Sequence, residues 1–367
     1  MKTKIVTLLR EAPHIKAKVI AKHLGMTRTE INTFLYSRND LFAVDDDFCW
    51  SLVAQDNVQM LLASCGWVDC TSFEQSLKEV GCLFGNSYQS IEVVIPENCK
   101  ILLEAAVRLL ALCNQLAHLK KRVKLDFSYC TSTLTYFNRM GFFDHLDKRV
   151  SVLPNRPEMS TAEMYRGNSD AVVEFGIISP KNPDENIPKQ LKNSFVSYAG
   201  EKYSLAAFTV ISELFGNVRD HSKTLIPGLA ALQMYKGKRP HIQTVVSDSG
   251  KGIVATLLPA IIKKYPDLYS KYDFSNPMSN VLLLKDVFET GGVSQTGKKG
   301  RGLGLKRSQE YAVKYNAYIS VRQETFEVKL CYFEGELTSF EYTLEMPRIL
   351  GTHVCFDFFL DAPGKSR

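Results

Sequence analysis

The pattern of apolar and polar positions divides the chain into three segments of different texture. In residues 1–54, apolar positions recur at helical spacing over 16–24, and a glycine follows where a helix commonly ends. Thr27 and Glu30 then form a Thr-x-x-Glu capping box, which predicts the start of another helix. A short alternating run over 41–52 predicts a hairpin around three consecutive aspartates. The pattern is therefore typical of a small helical domain that ends in a hairpin.

Residues 60–155 alternate strand-like and helix-like stretches. Apolar runs at 90–95 and 123–127 are strand-like, and a long amphipathic stretch at 100–119 lies between them. Strands that alternate with helices predict βαβ units and a mainly parallel sheet. The polar stretch 154–168 contains two prolines and is typical of a linker.

Residues 165–362 form the largest segment. A strand is predicted at 171–178, followed by a polar loop that contains Pro180, Pro183 and Pro188. The further predicted elements are a helix at 204–219, strands near 230–235 and 241–247, a hydrophobic helix at 254–262, a glycine-rich loop at 291–304, a helix at 305–315 and three closing strands. We therefore expect a multidomain protein that combines α+β and α/β units.

Composition narrows the class of protein without identifying it. Of the 367 residues, 45% are hydrophobic and 23% are charged, which excludes a disordered or collagen-like chain. The net charge of +6 is compatible with a nucleotide or nucleic-acid partner but is far below that of a histone-like protein. The nine cysteines include no Cys-x-x-Cys pair, which favours a reducing compartment. The longest apolar stretch, 101–116, carries charged residues and is too short for a membrane span, so we expect a cytoplasmic protein.

Three short motifs in the last segment carry residues suited to phosphate chemistry. The first places Glu213, Asn217 and Asp220 four and three positions apart in a predicted helix, so their side chains share one face. A carboxylate there can deprotonate a water molecule. An amide oxygen can hold a hard cation, and a second carboxylate can hold the water shell of that cation.

The second and third motifs are rich in glycine. Asp248 stands at the end of a predicted strand, where its carboxylate can accept a hydrogen bond from an exocyclic amine, and two following glycines let the backbone approach a planar base. The third motif precedes a helix, and backbone amides at such a position bind anions. The residues of these two motifs are Asp248, Gly250 and Gly252, then Lys298, Lys299, Gly300, Gly302, Gly304 and Leu305.

In order, context and spacing, the three motifs resemble the N, G1 and G2 boxes of the Bergerat-fold (GHKL) ATPases, the family of gyrase, MutL, histidine kinases and the ninety-kilodalton heat-shock chaperone. Gly351 and Thr352 resemble the last strand of that family. The resemblance implies a C-terminal α/β sandwich with ATP and Mg²⁺ as cofactors. It assigns Mg²⁺ binding to Asn217, the general base to Glu213 and the adenine acceptor to Asp248.

The remaining motif residues take supporting roles under the same resemblance. Asp220 would support Asn217, and Thr352 would support Asp248 through a water molecule. Gly250 and Gly252 would shape the base pocket, and Lys298 to Gly304 with Leu305 would form the lid and the phosphate cradle. Gyrase and MutL supply a catalytic lysine from a following domain, whereas this sequence ends at Arg367. We therefore expect hydrolysis to be slow or to need a partner or a second copy of the chain, as in an ATP-dependent dimer.

The resemblance predicts a regulator that binds and hydrolyses Mg-ATP and uses lid closure to control its other two domains. A nucleotide-sensing scaffold without useful turnover and an anti-sigma-type serine kinase remain alternatives. A histidine autokinase is excluded, because none of the seven histidines lies in a His-Glu-x-x-x-Pro box. The hydrophobic helix at 254–262 predicts either packing against the lid or docking of a protein partner.

The middle segment resembles the STAS fold of sulfate transporters and anti-sigma antagonists. The resemblance rests on Asp126 and Ser128 at the end of a strand, ahead of a helix. The phosphorylated Asp-Ser-x-Gly turn of that family is missing here. A structural spacer and a protein-docking module therefore both remain open.

The first segment resembles a winged helix, and within that class the readers of Z-form nucleic acid. The residues that carry the resemblance are Asn32, Tyr36 and Trp50, which in that family contact the backbone and one base face. This interpretation places Tyr36 and Trp50 outside the core. Residues 1–50 hold eight basic and six acidic side chains, with three of the acids on the wing, so phosphate binding is weakly supported by charge. The alternative is a protein-docking winged helix in which Tyr36 and Trp50 belong to the core.

Overall fold

The computed structural model describes residues 1–39, 41–53, 57–63, 66–85, 88–164, 172–293 and 302–360. Its described secondary structure is arranged in four sheets with helices packed on their faces. None of the described helices is long and apolar enough to span a lipid bilayer.

Three helices and a three-stranded antiparallel sheet form the N-terminal unit. The predicted capping box is present, with the Thr27 hydroxyl oxygen accepting from the Glu30 N–H (3.2 Å) and a Glu30 carboxylate oxygen accepting from the Thr27 N–H (2.9 Å). The predicted hairpin is confirmed, and the strand order is β1-β3-β2. The elements are α1 (Lys2–Glu11), β1 (Ile15–Lys16), α2 (Ala17–Leu24), α3 (Arg28–Tyr36), β2 (Phe42–Val44) and β3 (Cys49–Leu52).

The middle unit contains the parallel sheet that the alternating pattern predicts. Its four strands run in the order β4-β6-β8-β9, and every described pair is parallel. A second, two-stranded parallel sheet joins β5 and β7. The elements are β4 (Asn57–Leu61), β5 (Gly66–Val68), α4 (Cys70–Val80), β6 (Ser90–Val94), β7 (Cys99–Ile101), α5 (Leu103–His118), β8 (Arg122–Asp126), α6 (Thr131–Met140), α7 (Phe142–His145), β9 (Ser151–Leu153) and α8 (Thr161–Met164).

The C-terminal unit is a seven-stranded sheet with helices on one face. Its strand order is β10-β11-β12-β16-β13-β14-β15, and all described pairs are antiparallel. The helices α9, α10 and α14 pack on one face around a large apolar core. The elements are β10 (Val172–Ile178), α9 (Ile187–Ala199), α10 (Ser204–His221), β11 (Gly228–Tyr235), β12 (His241–Ser247), α11 (Ile253–Lys264), α12 (Pro266–Ser270), α13 (Met278–Glu289), α14 (Gly304–Tyr315), β13 (Ala317–Arg322), β14 (Glu327–Phe333), β15 (Glu336–Thr343) and β16 (His353–Phe359).

Two details of the C-terminal unit differ from the sequence-based expectation. Pro188 belongs to the first turn of α9 and not to a loop, because a proline lacks only an N–H that the first helical turn leaves unpaired. Four strands and not three follow α14. Among them, β15 lies at the edge of the sheet and is polar along most of its length.

Helix α5 lies between the sheets of the middle and C-terminal units. Fourteen of its 16 residues are buried. On one side it packs against β8, and on the other against β11 and β12. A single apolar cluster therefore contains residues of both units, such as Leu125 of β8 and Val245 of β12. The domain boundaries at 60–155 and 165–362 stay a prediction, since the two segments share this core.

Candidate functional site

A cavity of about 400 Å³ opens where α10, the loop after β12 and the start of α14 meet. The three sequence motifs, which are far apart along the chain, come together on its walls. The predicted residues that line it are Glu213, Asn217, Asp220, Asp248, Gly252, Gly302, Gly304, Leu305 and Thr352. Lys298, Lys299 and Gly300 lie outside the described residues.

Asp248 stands directly after β12 and is only 9% exposed. Its N–H donates to the Thr352 carbonyl (2.8 Å), and the Gly250 N–H donates to its carboxylate (2.6 Å). Burial raises the pKa of Asp248 to about 6, while the hydrogen bonds from Gly250 and Thr352 lower it in part. A carboxyl group that loses so much solvation gains when a ligand supplies another donor. Thr352 thus contacts Asp248 directly through its backbone carbonyl. The water-mediated contact between the two residues stays a prediction.

The loop of residues 248–252 is named the base loop, after the adenine base that Asp248 is expected to bind. Its two glycines let this loop approach its neighbours closely. A Cβ at Gly250 would collide with the carbonyl group of Ser222, at the end of α10. Gly252 has φ of +81°, and a Cβ there would lie 2.7 Å from the side-chain oxygen of Gln323. Both positions therefore exclude larger residues for steric reasons.

Glu213 belongs to α10, and its side chain lies beside the N-terminus of α14. Gly304 begins that helix, and a Cβ on it would overlap the Glu213 carboxylate. The N-cap residue Leu303 makes no side-chain hydrogen bond to the helix, and the first turn contains no acidic residue. The N–H groups at such a helix start attract anions. The arrangement places a carboxylate beside an anion-binding helix terminus.

Asn217 lies one turn from Glu213 on α10 and is half-buried. Asp220 is nearer the mouth of the cavity, and its carboxylate accepts a hydrogen bond from Arg219 (2.8 Å), which also binds Glu185 (3.1 Å). Within the described residues, no three or more His, Cys, Asp or Glu side chains are placed to hold a metal ion.

No motif of the sequence includes Gln323, which binds two residues of the cavity wall, Ile253 and Thr352. This residue follows β13 and is buried. Its side-chain oxygen accepts from the Ile253 N–H (2.8 Å), and its side-chain nitrogen donates to the Thr352 hydroxyl (3.3 Å). A single glutamine at the end of a strand belongs to no motif, so only the fold reveals its position.

The three candidate residues of the N-terminal unit differ in how deeply they are buried. Tyr36 is 56% exposed and Asn32 is half-buried, whereas Trp50 is only 3% exposed. The rings of Tyr36 and Trp50 meet edge to face with centroids 4.7 Å apart. The expectation of an exposed Trp50 is wrong, because β3 places its ring in the core beside α1 and α2. The alternative that places both rings in the core is confirmed for Trp50 and wrong for Tyr36.

Comparison with known proteins bears on the C-terminal unit. Residues 203–348 match the family model for histidine kinase-, DNA gyrase B- and HSP90-like ATPases. Among solved structures, the 43K ATPase domain of Thermus thermophilus gyrase B in complex with an aminocoumarin matches with 15% sequence identity and a TM-score of 0.26, covering 49% of this chain and 41% of that chain. No curated protein matches the chain. Residues 203–348 therefore form a GHKL-type ATPase domain, and such a domain binds ATP.

Proposed function

We propose that the chain is an ATP-dependent regulator whose C-terminal unit binds and hydrolyses Mg-ATP in the cavity between α10 and α14. The observation that carries this proposal is the meeting of the three motifs on one cavity, within the segment that matches the ATPase family. The cavity has one end suited to a base and another suited to phosphates.

At the base end, Asp248 accepts the hydrogen bond from the exocyclic amine of adenine. Its carboxylate is buried, and the described contacts leave it short of compensation for lost solvation. An amine donor from the base supplies that compensation. Gly250 and Gly252 let the loop that carries Asp248 pack closely against its neighbours, because a Cβ at either position would overlap protein atoms.

At the phosphate end, the uncapped start of α14 receives the phosphate groups. Asn217 lines the same cavity, and amide oxygen is a ligand that Mg²⁺ accepts. Since no acidic cluster stands there among the described residues, we expect Mg²⁺ to enter with the nucleotide and not before it. The ion, when bound, neutralises charge on the phosphates.

Glu213 is the general base of hydrolysis in this proposal. Its carboxylate takes a proton from a water molecule as the water oxygen forms a bond to the γ-phosphorus. The bond from that phosphorus to the β–γ bridging oxygen breaks, and ADP and inorganic phosphate are released. The position of Glu213 at the N-terminus of α14 supports this role, because that helix end would hold the phosphates.

Two substitutions separate binding from turnover. Asn217→Ala is expected to lose Mg-ATP binding, measured by calorimetry, because the proposed ligand of the ion is removed. Glu213→Gln is expected to bind Mg-ATP as the wild type does. Its rate of phosphate release is expected to be roughly one hundredth of the wild-type rate, or lower. The matched controls are Asn193→Ala and Glu201→Gln, on exposed positions outside the cavity.

Each outcome bears on a different part of the proposal. Unchanged ATP affinity in Asn217→Ala would show that the cavity is not the nucleotide site. ATP binding without phosphate release in the wild type would favour the sensing scaffold. Transfer of labelled γ-phosphate to a protein would favour the serine kinase.

We propose in addition that the N-terminal unit is a winged helix that binds nucleic acid. The order helix, strand, helix, helix, strand, strand supports the first part. The exposed ring of Tyr36, braced edge-on by the buried Trp50, supports the second. An exposed, rigid tyrosine on the third helix is suited to stack on a base.

A further inference from the structure

Two loops at the base end of the cavity are held from outside the segment that matches the ATPase family. Gln115 of α5 is 1% exposed. Its side-chain nitrogen donates to the Ser249 hydroxyl (2.8 Å) and to the Leu350 carbonyl (2.9 Å). Its side-chain oxygen accepts from the Leu350 N–H (2.9 Å). One amide thus uses both its donors and its acceptor on these two loops.

The two loops are those that fix Asp248. Ser249 follows Asp248 directly in the chain, and Leu350 lies two residues before Thr352, whose carbonyl receives the Asp248 N–H. The Gln115 side chain therefore bridges both loops that carry the hydrogen-bond partners of the proposed adenine acceptor.

Helix α5 is itself anchored on the C-terminal sheet by a buried ionic network. Arg108 donates to Glu74 of α4, to Glu104 of its own helix and to Glu327 of β14. Arg322 of β13 binds Glu74 from the other side. This anchorage holds Gln115 at a fixed distance from the base loop, because the helix cannot shift without separating buried charges.

Arg322 also leads back to the base loop. The next residue is Gln323, which binds the Ile253 N–H and the Thr352 hydroxyl. The loops at this end of the cavity are therefore bound by Gln115 and also by Gln323, which follows Arg322 of the ionic network.

We propose that Gln115 is a positioning residue for base recognition, through which the middle unit sets the affinity and selectivity of the C-terminal unit for adenine. The proposal rests on the proposed ATP site. The side-chain contacts of Gln115 among the described residues go to Ser249 and Leu350 beside the base end, so we expect its influence to fall on the base and not on the phosphates.

The test uses the full chain and three probes, namely ATP, GTP and magnesium tripolyphosphate, each titrated by calorimetry. Gln115→Ala is expected to weaken ATP binding about tenfold, the loss of roughly one buried hydrogen-bonding residue. It is expected to reduce the preference for ATP over GTP and to leave tripolyphosphate binding unchanged.

The neighbouring residue supplies the matched control. Asn114 also uses its amide as a clamp, donating to the His145 carbonyl (3.0 Å) and accepting from the Asp147 N–H (2.8 Å), but both partners lie in the middle unit. Asn114→Ala is therefore expected to bind all three probes as the wild type does. Ser249→Ala removes the other partner of the same contact with little change of volume, so it should repeat part of the Gln115→Ala effect. It keeps the test valid even if the Gln115→Ala variant folds poorly.

The outcomes distinguish this proposal from the one on which it rests. If Gln115→Ala and Ser249→Ala bind ATP normally while Asp248→Asn does not, the positioning role is refuted and the ATP site stands. Equal weakening for all three probes would also refute it, since a purely structural defect would act on the whole cavity. If Asp248→Asn too binds ATP normally, the proposed site itself is wrong.

Discussion

Asp248 links the base end of the cavity to pH. Burial raises its pKa from 3.8 to about 6, so the empty site holds a carboxyl group that is protonated below that pH. Because the folded pKa is the higher one, the group stabilises the fold fully below its unfolded pKa, and this contribution is lost as the pH rises through 6. The ionised carboxylate is the stronger acceptor for the adenine amine. Acidification therefore favours the empty protein and opposes nucleotide binding.

We predict that ATP affinity falls about tenfold between pH 7 and pH 5, since one pH unit below the pKa only about a tenth of the carboxyl is ionised. Asp248→Asn should bind ATP more weakly and lose this dependence. Phosphate groups also titrate near pH 6, so tripolyphosphate, measured across the same range, reports their share. Parallel pH profiles for the wild type and Asp248→Asn would contradict the assignment.

At this scale, the sequence predicted residues that belong to motifs and missed those that act alone. Glu213, Asn217 and Asp248 could be found because their spacing and flanking glycines have a chemical reason. Gln115 and Gln323 could not, because each is a single amide whose partners lie 29 or more positions away along the chain. Their roles depend on tertiary packing, which local patterns do not encode.

At the scale of elements, α5 takes part in a buried network of charged side chains. Arg108 and Arg322 face Glu74, Glu104 and Glu327, and Lys329 lies 3.5 Å from Glu327, so the three positive and three negative charges balance. Burial alone would raise the pKa of Glu327, but the Arg108 guanidinium, with Lys329, lowers it well below its usual value. The network is stable only while every charge keeps its partners.

Arg108→Met is expected to destabilise the chain by about 3–5 kcal/mol, because it leaves a buried excess of carboxylates. Urea unfolding measures the loss. Lys124→Met is the control, since it breaks the partly exposed Lys124–Glu92 pair and should cost less than about 1 kcal/mol. Adding Glu327→Gln to Arg108→Met should recover part of the stability. A loss no larger than that of the control would show that the buried charges contribute little.

Elements with a local signal were predicted, and elements defined by tertiary contacts were not. The capping box at Thr27 and the apolar alternation of β12 specify their structure within a few residues. The edge strand β15 is polar at most of its positions, and α9 begins with a proline-containing turn, so neither has a clear sequence pattern of its class. Packing against β14 and α10 stabilises them instead.

For the whole molecule, the shared core changes how the proposed units can work. The middle unit was expected to be a separate domain, yet α5 is buried between two sheets and completes the C-terminal core. A signal from the proposed nucleotide site therefore needs no hinge to reach the middle unit, because Gln115 already binds the loop after β12 and Arg108 binds β13. The N-terminal unit has a small core of its own, built around Ile20 and Ile31.

Charge at the N-terminal unit sets how nucleic acid would bind there. Residues 1–50 carry only two more basic than acidic side chains, so we expect weak binding. Asp45 on the wing accepts hydrogen bonds from the Cys49 N–H (2.8 Å) and from His14 (3.1 Å), so its charge is engaged within the turn. Asp46 and Asp47 stay exposed and oppose phosphate. Tyr36 then supplies the favourable contact that charge does not.

We predict that the full chain binds duplex weakly at low salt and that Tyr36→Ala lowers the affinity by roughly 1–3 kcal/mol, the contribution of one stacked base. Binding should also weaken as salt rises, because phosphate contacts release counterions. Fluorescence anisotropy with labelled DNA and RNA duplexes measures both effects. Tyr129→Ala is the control, since Tyr129 is at least as exposed as Tyr36 but lies in the middle unit. Tyr36→Ala should still fold, with a loss of stability of about 0.5–1.5 kcal/mol from the edge-to-face contact with Trp50. Absence of binding at low salt, or equal loss in Tyr129→Ala, would leave protein docking as the role of the exposed Tyr36.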